Sequence, residues 1–186
     1  MNSSGSVEDD ERLRLFLGFG LPAAAAAQIA AWQHEQLVAE GVRIVPVENL
    51  HVTIAFLGSR PGGEVPAISA ALRESARGVP EPVLTPMRYR ETRSVGMLVL
   101  DDEDGRATRI AEEAQRRLAG LGVYEPEKRP WLPHLTLVRF RERPRLRPTI
   151  PDVGPMTTSD AAVYMSRLRP TGAQYEVVES VPLGGG

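Results

Sequence analysis

One unit is written twice in this chain. An apolar, strand-like run beginning at Leu13 ("LRLFLGFG") is followed by a helical pattern and then by "HVTIAFLG", which opens at His51. A second run beginning at Val95 ("VGMLVLDD") is followed by another helical pattern and then by "HLTLVRF", which opens at His134. The histidine comes 38 residues after Leu13 in the first copy and 39 after Val95 in the second. Strand, helix and His-Thr strand at matched spacing mark an internal duplication. Two such copies are expected to pack about a pseudo-twofold axis, with equivalent positions facing each other across a cleft.

The remaining punctuation fits an α+β chain. Pro22 opens an alanine-rich helix over 22–40, with proline in the first turn and Gly41 just past the end. The spacing predicts strands at 43–45 and 49–57, a helix near 64–77, and strands near 83–90 and 94–100. Asp104 is the expected N-cap of the helix over 105–120, which the Gly120/Gly122 pair stops. The second His-Thr strand follows the loop "VYEPEKRPWLP", and strands near 160–167 and 175–182 complete the pattern.

At 186 residues with 42% apolar and 25% charged content, the chain reads as one domain over 11–183, with loose tails at 1–10 and 184–186. The absence of cysteine excludes disulfides, thiolate catalysis and Cys-based metal sites. The N-terminal "MNSSGSVEDDER" has no apolar core, so no signal peptide is expected. No apolar run approaches the roughly 18 residues of a membrane span. A cytoplasmic monomer without a membrane partner is the resulting expectation. A net charge of −2 gives no global attraction to nucleic acid, so any such partner must meet a local patch.

On a strand, residues i and i+2 share a face about 6.5–7 Å apart. His51 and Thr53 therefore project together while Val52 and Ile54 face the core. His134 and Thr136 repeat this with Leu135 and Leu137 behind them. Nine threonines in the chain make a chance threonine at any +2 position an event of about 5%. Two hits among three histidines are not a coincidence of composition. Paired imidazoles can divide acid and base work, since each titrates near neutrality. The threonine hydroxyls can donate to the oxygens of a phosphoryl group. Neither motif contains a carboxylate, so Ser-His-Asp and metallohydrolase arrangements lack their partners. This set suits cleavage of a phosphodiester without metal or cofactor. His34, mid-helix and without a threonine at +2, reads as structural.

Together these features resemble the 2H phosphoesterase superfamily. "VPVENLHVTIAFLG" and "RPWLPHLTLVRF" are similar to its RNA 2′,3′-cyclic phosphodiesterase branch, also called the 2′-5′ RNA ligase family. The resemblance implies a bilobal fold with two antiparallel sheets forming a central cleft and helices packed outside. It also implies metal-free hydrolysis of a 2′,3′-cyclic phosphate to a 2′-phosphate. By motif position, His51 would protonate the departing ribose oxygen, His134 would activate water, and Thr53 and Thr136 would hold the phosphate. RNA ends are the implied substrate. A small nucleotide (a cyclic ADP-ribose phosphate or a 2′-5′ oligoadenylate) is the alternative within this chemistry, and a non-catalytic RNA-end binder is the alternative outside it.

Arg139 and Phe56 are further candidates, for the phosphate and for a base. Both stand five residues after their histidine, an odd offset that a regular strand turns away from the site. Either the strand bulges after the motif or both residues are structural. Beyond them, Arg139, Arg141, Arg143, Arg145 and Arg147 alternate along "RFRERPRLR", either a solvated loop or a ramp for an RNA backbone.

Overall fold

The computed structural model describes residues 11–170 and 172–184; of the tails expected at 1–10 and 184–186, Gly184 falls within these residues and the rest lies outside them. The elements are β1 (Arg12–Phe19), α1 (Ala23–Gln36), β2 (Val42–Ile44), a 3₁₀ turn (Val47–Asn49), β3 (Val52–Pro61) and α2 (Val65–Ala76). They continue with β4 (Val83–Glu91), β5 (Val95–Asp101), α3 (Arg106–Gly120), β6 (His134–Phe140), β7 (Met156–Thr157), β8 (Asp160–Arg169) and β9 (Gly172–Pro182). Helix α1 ends earlier than its pattern because Leu37 leaves the helix and drops fully into the core. The expected N-cap Asp104 instead pairs with Arg106 at 3.2 Å. Asp102 does the capping. Its carboxylate reaches across Gly105, at φ +65°, to accept the N–H groups of Ala107 (3.3 Å) and Thr108 (2.7 Å).

The strands form a nine-stranded antiparallel sheet in the order β7-β4-β5-β6-β3-β1-β8-β9, with β2 added to β6. The order reads alike outward from its centre. Each His-Thr strand sits at the junction, and beside it lies the strand that precedes its helix in sequence. Two sheets were expected, but the ladder runs on from β6 to β3. The join is narrow: β3 and β6 share only the pair Val52–Leu135. Farther along β6, β2 occupies that edge through Val42–Phe140, Arg43–Arg139 and Ile44–Val138.

One face of the sheet is dry. Val52, Ile54, Leu135 and Leu137 are at most 1% exposed and belong to a single apolar cluster with Ile29 of α1, Ile68 and Leu72 of α2, and Ile110 and Leu118 of α3. Burial of each such side chain stabilises the fold by about 1.5–3 kcal/mol. The helices cross between copies. Helix α3 packs on β3, and α1 reaches β6 through the Gln33 side chain. The other face of the two central strands is left for polar groups.

Candidate active site

The single pair Val52–Leu135 fixes the site. Both side chains point into the core, so their neighbours in each strand point to the opposite face. In an antiparallel register this sets His51 across from Thr136 and Thr53 across from His134. Directly opposed Cβ atoms lie about 4.5–5.5 Å apart and diagonal ones about 7–8 Å. The two imidazoles thus stand on one diagonal of a square and the two hydroxyls on the other.

Both rings are oriented alike. The Nδ1–H of His51 donates to the Asn49 carbonyl at 2.8 Å, and that of His134 donates to the Leu132 carbonyl at 2.8 Å. A carbonyl only accepts, so the proton sits on Nδ1 and Nε2 is left for chemistry. In His51 this nitrogen meets the Thr53 hydroxyl at 2.9 Å. His51 lies among Phe16 (centroids 4.6 Å apart), Tyr175 (5.3 Å) and Tyr164 (6.0 Å). Burial lowers its pKa from 6.5 to about 4. The Asn49 bond partly opposes this drop, and the nearby positive charge of His134 and Arg139 adds to it. Gly18 of β1 makes the packing possible, since a Cβ there would lie 3.2 Å from His51 Cδ2 and 3.1 Å from the Val52 carbonyl.

A cavity of about 650 Å³ opens over three corners of this square, His51, Thr53 and Thr136, within the usual range for small-molecule sites. His51, Thr53, Thr136, Phe56 and Arg139 line it. His134 is half-buried and is not part of the lining surface. His34 is exposed on α1 and lies apart from it.

Phe56 and Arg139 reach the cavity because both strands bulge. Opposite β5, Gly96 pairs Val138 and Met97 pairs Thr136, which leaves Leu137 as an extra residue. Opposite β1, Leu17 pairs Ala55 and Gly18 pairs Thr53, which leaves Ile54 extra. Each bulge stands at the third position after the histidine and reverses the alternation. The fifth position then faces the site. Phe56 is 51% exposed, with the Arg14 guanidinium 4.9 Å above its ring.

Of the five alternating arginines, only Arg139 lines the cavity. Arg143 is held instead by the buried Glu91 at 3.0 Å. The cavity's other guanidiniums come from Arg14 on β1, Arg43 on β2 and Arg169 on β8, and among the described residues no carboxylate accompanies them. Sequence reasoning missed these three. Each sits in a different segment, and the Arg43–Arg139 pairing across β2 and β6 sets one of them opposite the arginine the sequence had singled out. Like charges directly opposed repel unless an anion lies between them.

A family model described as LigT-like phosphoesterase matches residues 19–85. A curated RNA 2′,3′-cyclic phosphodiesterase of Methanocaldococcus jannaschii is 27% identical over 179 residues, covering 90% of this chain and 99% of that protein. One of Escherichia coli K12 is 30% identical over 130 residues, covering 69% of this chain and 73% of that protein. The fold superimposes on a crystal structure of E. coli LigT with a TM-score of 0.81 at 23% identity, covering 94% of this chain and all of the other.

Proposed function

The chain belongs to the LigT-like phosphoesterases of the 2H superfamily, and on that premise we propose that it hydrolyses RNA 2′,3′-cyclic phosphate ends to 2′-phosphates with His51 and His134 as its acid and base. The observation that supports this most is the diagonal square of two imidazoles and two hydroxyls beside a cavity that, among the described residues, is rich in arginine and without carboxylate. In the proposed reaction His134 Nε2 takes a proton from water as its oxygen attacks phosphorus. The bond from phosphorus to the ribose 3′-oxygen breaks, and His51 Nε2 gives that oxygen a proton. The product carries a 2′-phosphate and a 3′-hydroxyl.

Thr136 and Thr53 donate to the non-bridging oxygens. For Thr53 this means rotating away from His51 Nε2, its partner in the free protein. Arg139 neutralises the charge that builds on the phosphoryl group. Phe56 offers a face to the terminal base. A cavity of about 650 Å³ holds roughly one nucleotide, so further residues of an RNA chain lie outside it.

The test is turnover of a short oligonucleotide ending in 2′,3′-cyclic phosphate, with the product's phosphate position determined. Formation of a 2′-phosphate in the presence of EDTA supports the proposal; binding without turnover makes the chain an RNA-end binder instead. Turnover of a cyclic mononucleotide in preference to the oligonucleotide moves the substrate to small nucleotides.

A further inference from the structure

Arg139 and Phe56 face the cavity only while the bulges at Leu137 and Ile54 persist. A bulge is an interrupted ladder and needs something to hold it. Here a glutamine braces each one, at Leu137 together with the backbone N–H of Val45, which donates to the same carbonyl at 2.8 Å. Gln33 Nε2 donates to the Leu137 carbonyl at 2.8 Å, and Gln115 Nε2 donates to the Ile54 carbonyl at 2.8 Å. The two glutamines hold equivalent places in the duplicated unit: Gln33 stands 18 residues before His51 and Gln115 stands 19 before His134. Each acts on the other copy's strand. Gln33, on α1 of the first copy, serves β6, while Gln115, on α3 of the second, serves β3.

Gln33 is fully buried. Its Nε2 also approaches the Val45 carbonyl at 3.3 Å, which ties the bulge to the end of β2. Its Oε1 has no hydrogen-bond partner among the described residues. Burying an amide with one end unbonded is costly, and an apolar side chain would suit that helix position better on packing grounds alone. What such a side chain lacks is the N–H donated to Leu137.

We infer that Gln33 and Gln115 are positioning residues, Gln33 keeping Arg139 aimed at the phosphate and Gln115 keeping Phe56 aimed at the base. The substrate groups named here rest on the cyclic phosphodiesterase reading; the bulges and their glutamine bonds do not. His51, Thr53, His134 and Thr136 all precede their bulge. Loss of a glutamine bond therefore misdirects the fifth residue and leaves the acid–base pair in place.

The test is a double-mutant cycle. Gln33→Met keeps length and flexibility but removes the donor. It is expected to lower kcat/KM for a cyclic-phosphate oligonucleotide about tenfold and to move the acidic limb upward as the Arg139 charge turns away from His51, and Arg139→Ala to lower it about 10²-fold. The double variant is expected to match Arg139→Ala alone. If the two losses multiply, Gln33 does not act through Arg139 and the inference falls. The same cycle read in the Kd of adenosine 2′-phosphate measures the coupling without turnover, so an inactive wild type would overturn the function and not this coupling.

The second pair, Gln115→Met with Phe56→Ala, decides the matter should Gln33→Met fail to fold. Gln115→Met is expected to weaken adenosine 2′-phosphate several-fold, to leave ribose 2-phosphate unchanged, and to add nothing to Phe56→Ala. Equal weakening of both ligands would overturn the assignment.

Discussion

Burial among Phe16, Tyr164 and Tyr175 keeps His51 uncharged in the free protein down to about pH 4. In the proposed role of general acid His51 must nevertheless carry a proton. The anionic substrate supplies the reason for one, because negative charge beside an imidazolium raises its pKa. The acidic limb of kcat/KM, which reports the free protein, is therefore expected near pH 4, and that of kcat at higher pH. Coincident limbs would contradict this. Each of His51→Ala and His134→Ala is expected to lose about 10²-fold or more in kcat/KM. A substrate with sulfur in place of the leaving 3′-oxygen separates their roles, since a thiolate departs without a proton. The His51→Ala deficit should shrink about tenfold or more on it while the His134→Ala deficit stays. The same depressed pKa also affects folding. The unfolded chain binds a proton at His51 near pH 6.5 and the folded one only near pH 4, so stability is full above 6.5 and declines as pH falls toward 4. The full loss is about 3 kcal/mol. Urea denaturation at pH 7.5 and 4.5 should show a drop about 2–3 kcal/mol smaller in His51→Gln than in wild type.

Among the elements, the segment after β6 shows how a charged loop is anchored. Glu91, at the end of β4, accepts from Arg143 Nε (3.0 Å), the backbone N–H groups of Arg145 (3.0 Å) and Leu146 (2.8 Å), and the Tyr89 hydroxyl (3.3 Å). Its side chain is 2% exposed, and Arg145 is held at φ +58°. Glu91→Ala leaves those donors unmet and is expected to cost about 2–4 kcal/mol in chemical denaturation. Its kcat should stay within about threefold of wild type, since none of residues 141–147 lines the cavity. Nothing in "RFRERPRLR" announces this partner, which lies about fifty residues upstream. The long strands and all three helices were legible because their periodicity and their Gly and Pro boundaries are local. Strand β7, two residues long, offers no pattern to read. The bulges were invisible for another reason. An extra residue is extra only relative to a partner strand, and a sequence does not state register. The odd offset of Phe56 and Arg139 raised the question that only pairing could answer. The glutamine spacings did lie open to inspection beside the histidine spacings.

At the scale of the whole molecule, charge is placed against its average. The net charge is −2, yet the cavity gathers Arg14, Arg43, Arg139 and Arg169 with no carboxylate among the described residues that line it. Attraction to a polyanion must then come from this rim and not from the protein at large. For single-stranded nucleic acid each neutralised phosphate contributes about −0.7 to the slope of log affinity against log salt. Four rim guanidiniums on a multi-nucleotide substrate give a slope near −3 at most, and a mononucleotide, reaching fewer of them, a slope nearer −1. Measuring kcat/KM from low to moderate salt under subsaturating substrate reads this directly. Arg43→Ala and Arg169→Ala should each flatten the oligonucleotide slope by about 0.7. Arg141→Ala and Arg147→Ala, outside the cavity, should leave it unchanged. If instead the Arg141 and Arg147 variants flatten the slope and the rim variants do not, RNA approaches along the arm after β6, and the cavity rim is not what draws it in.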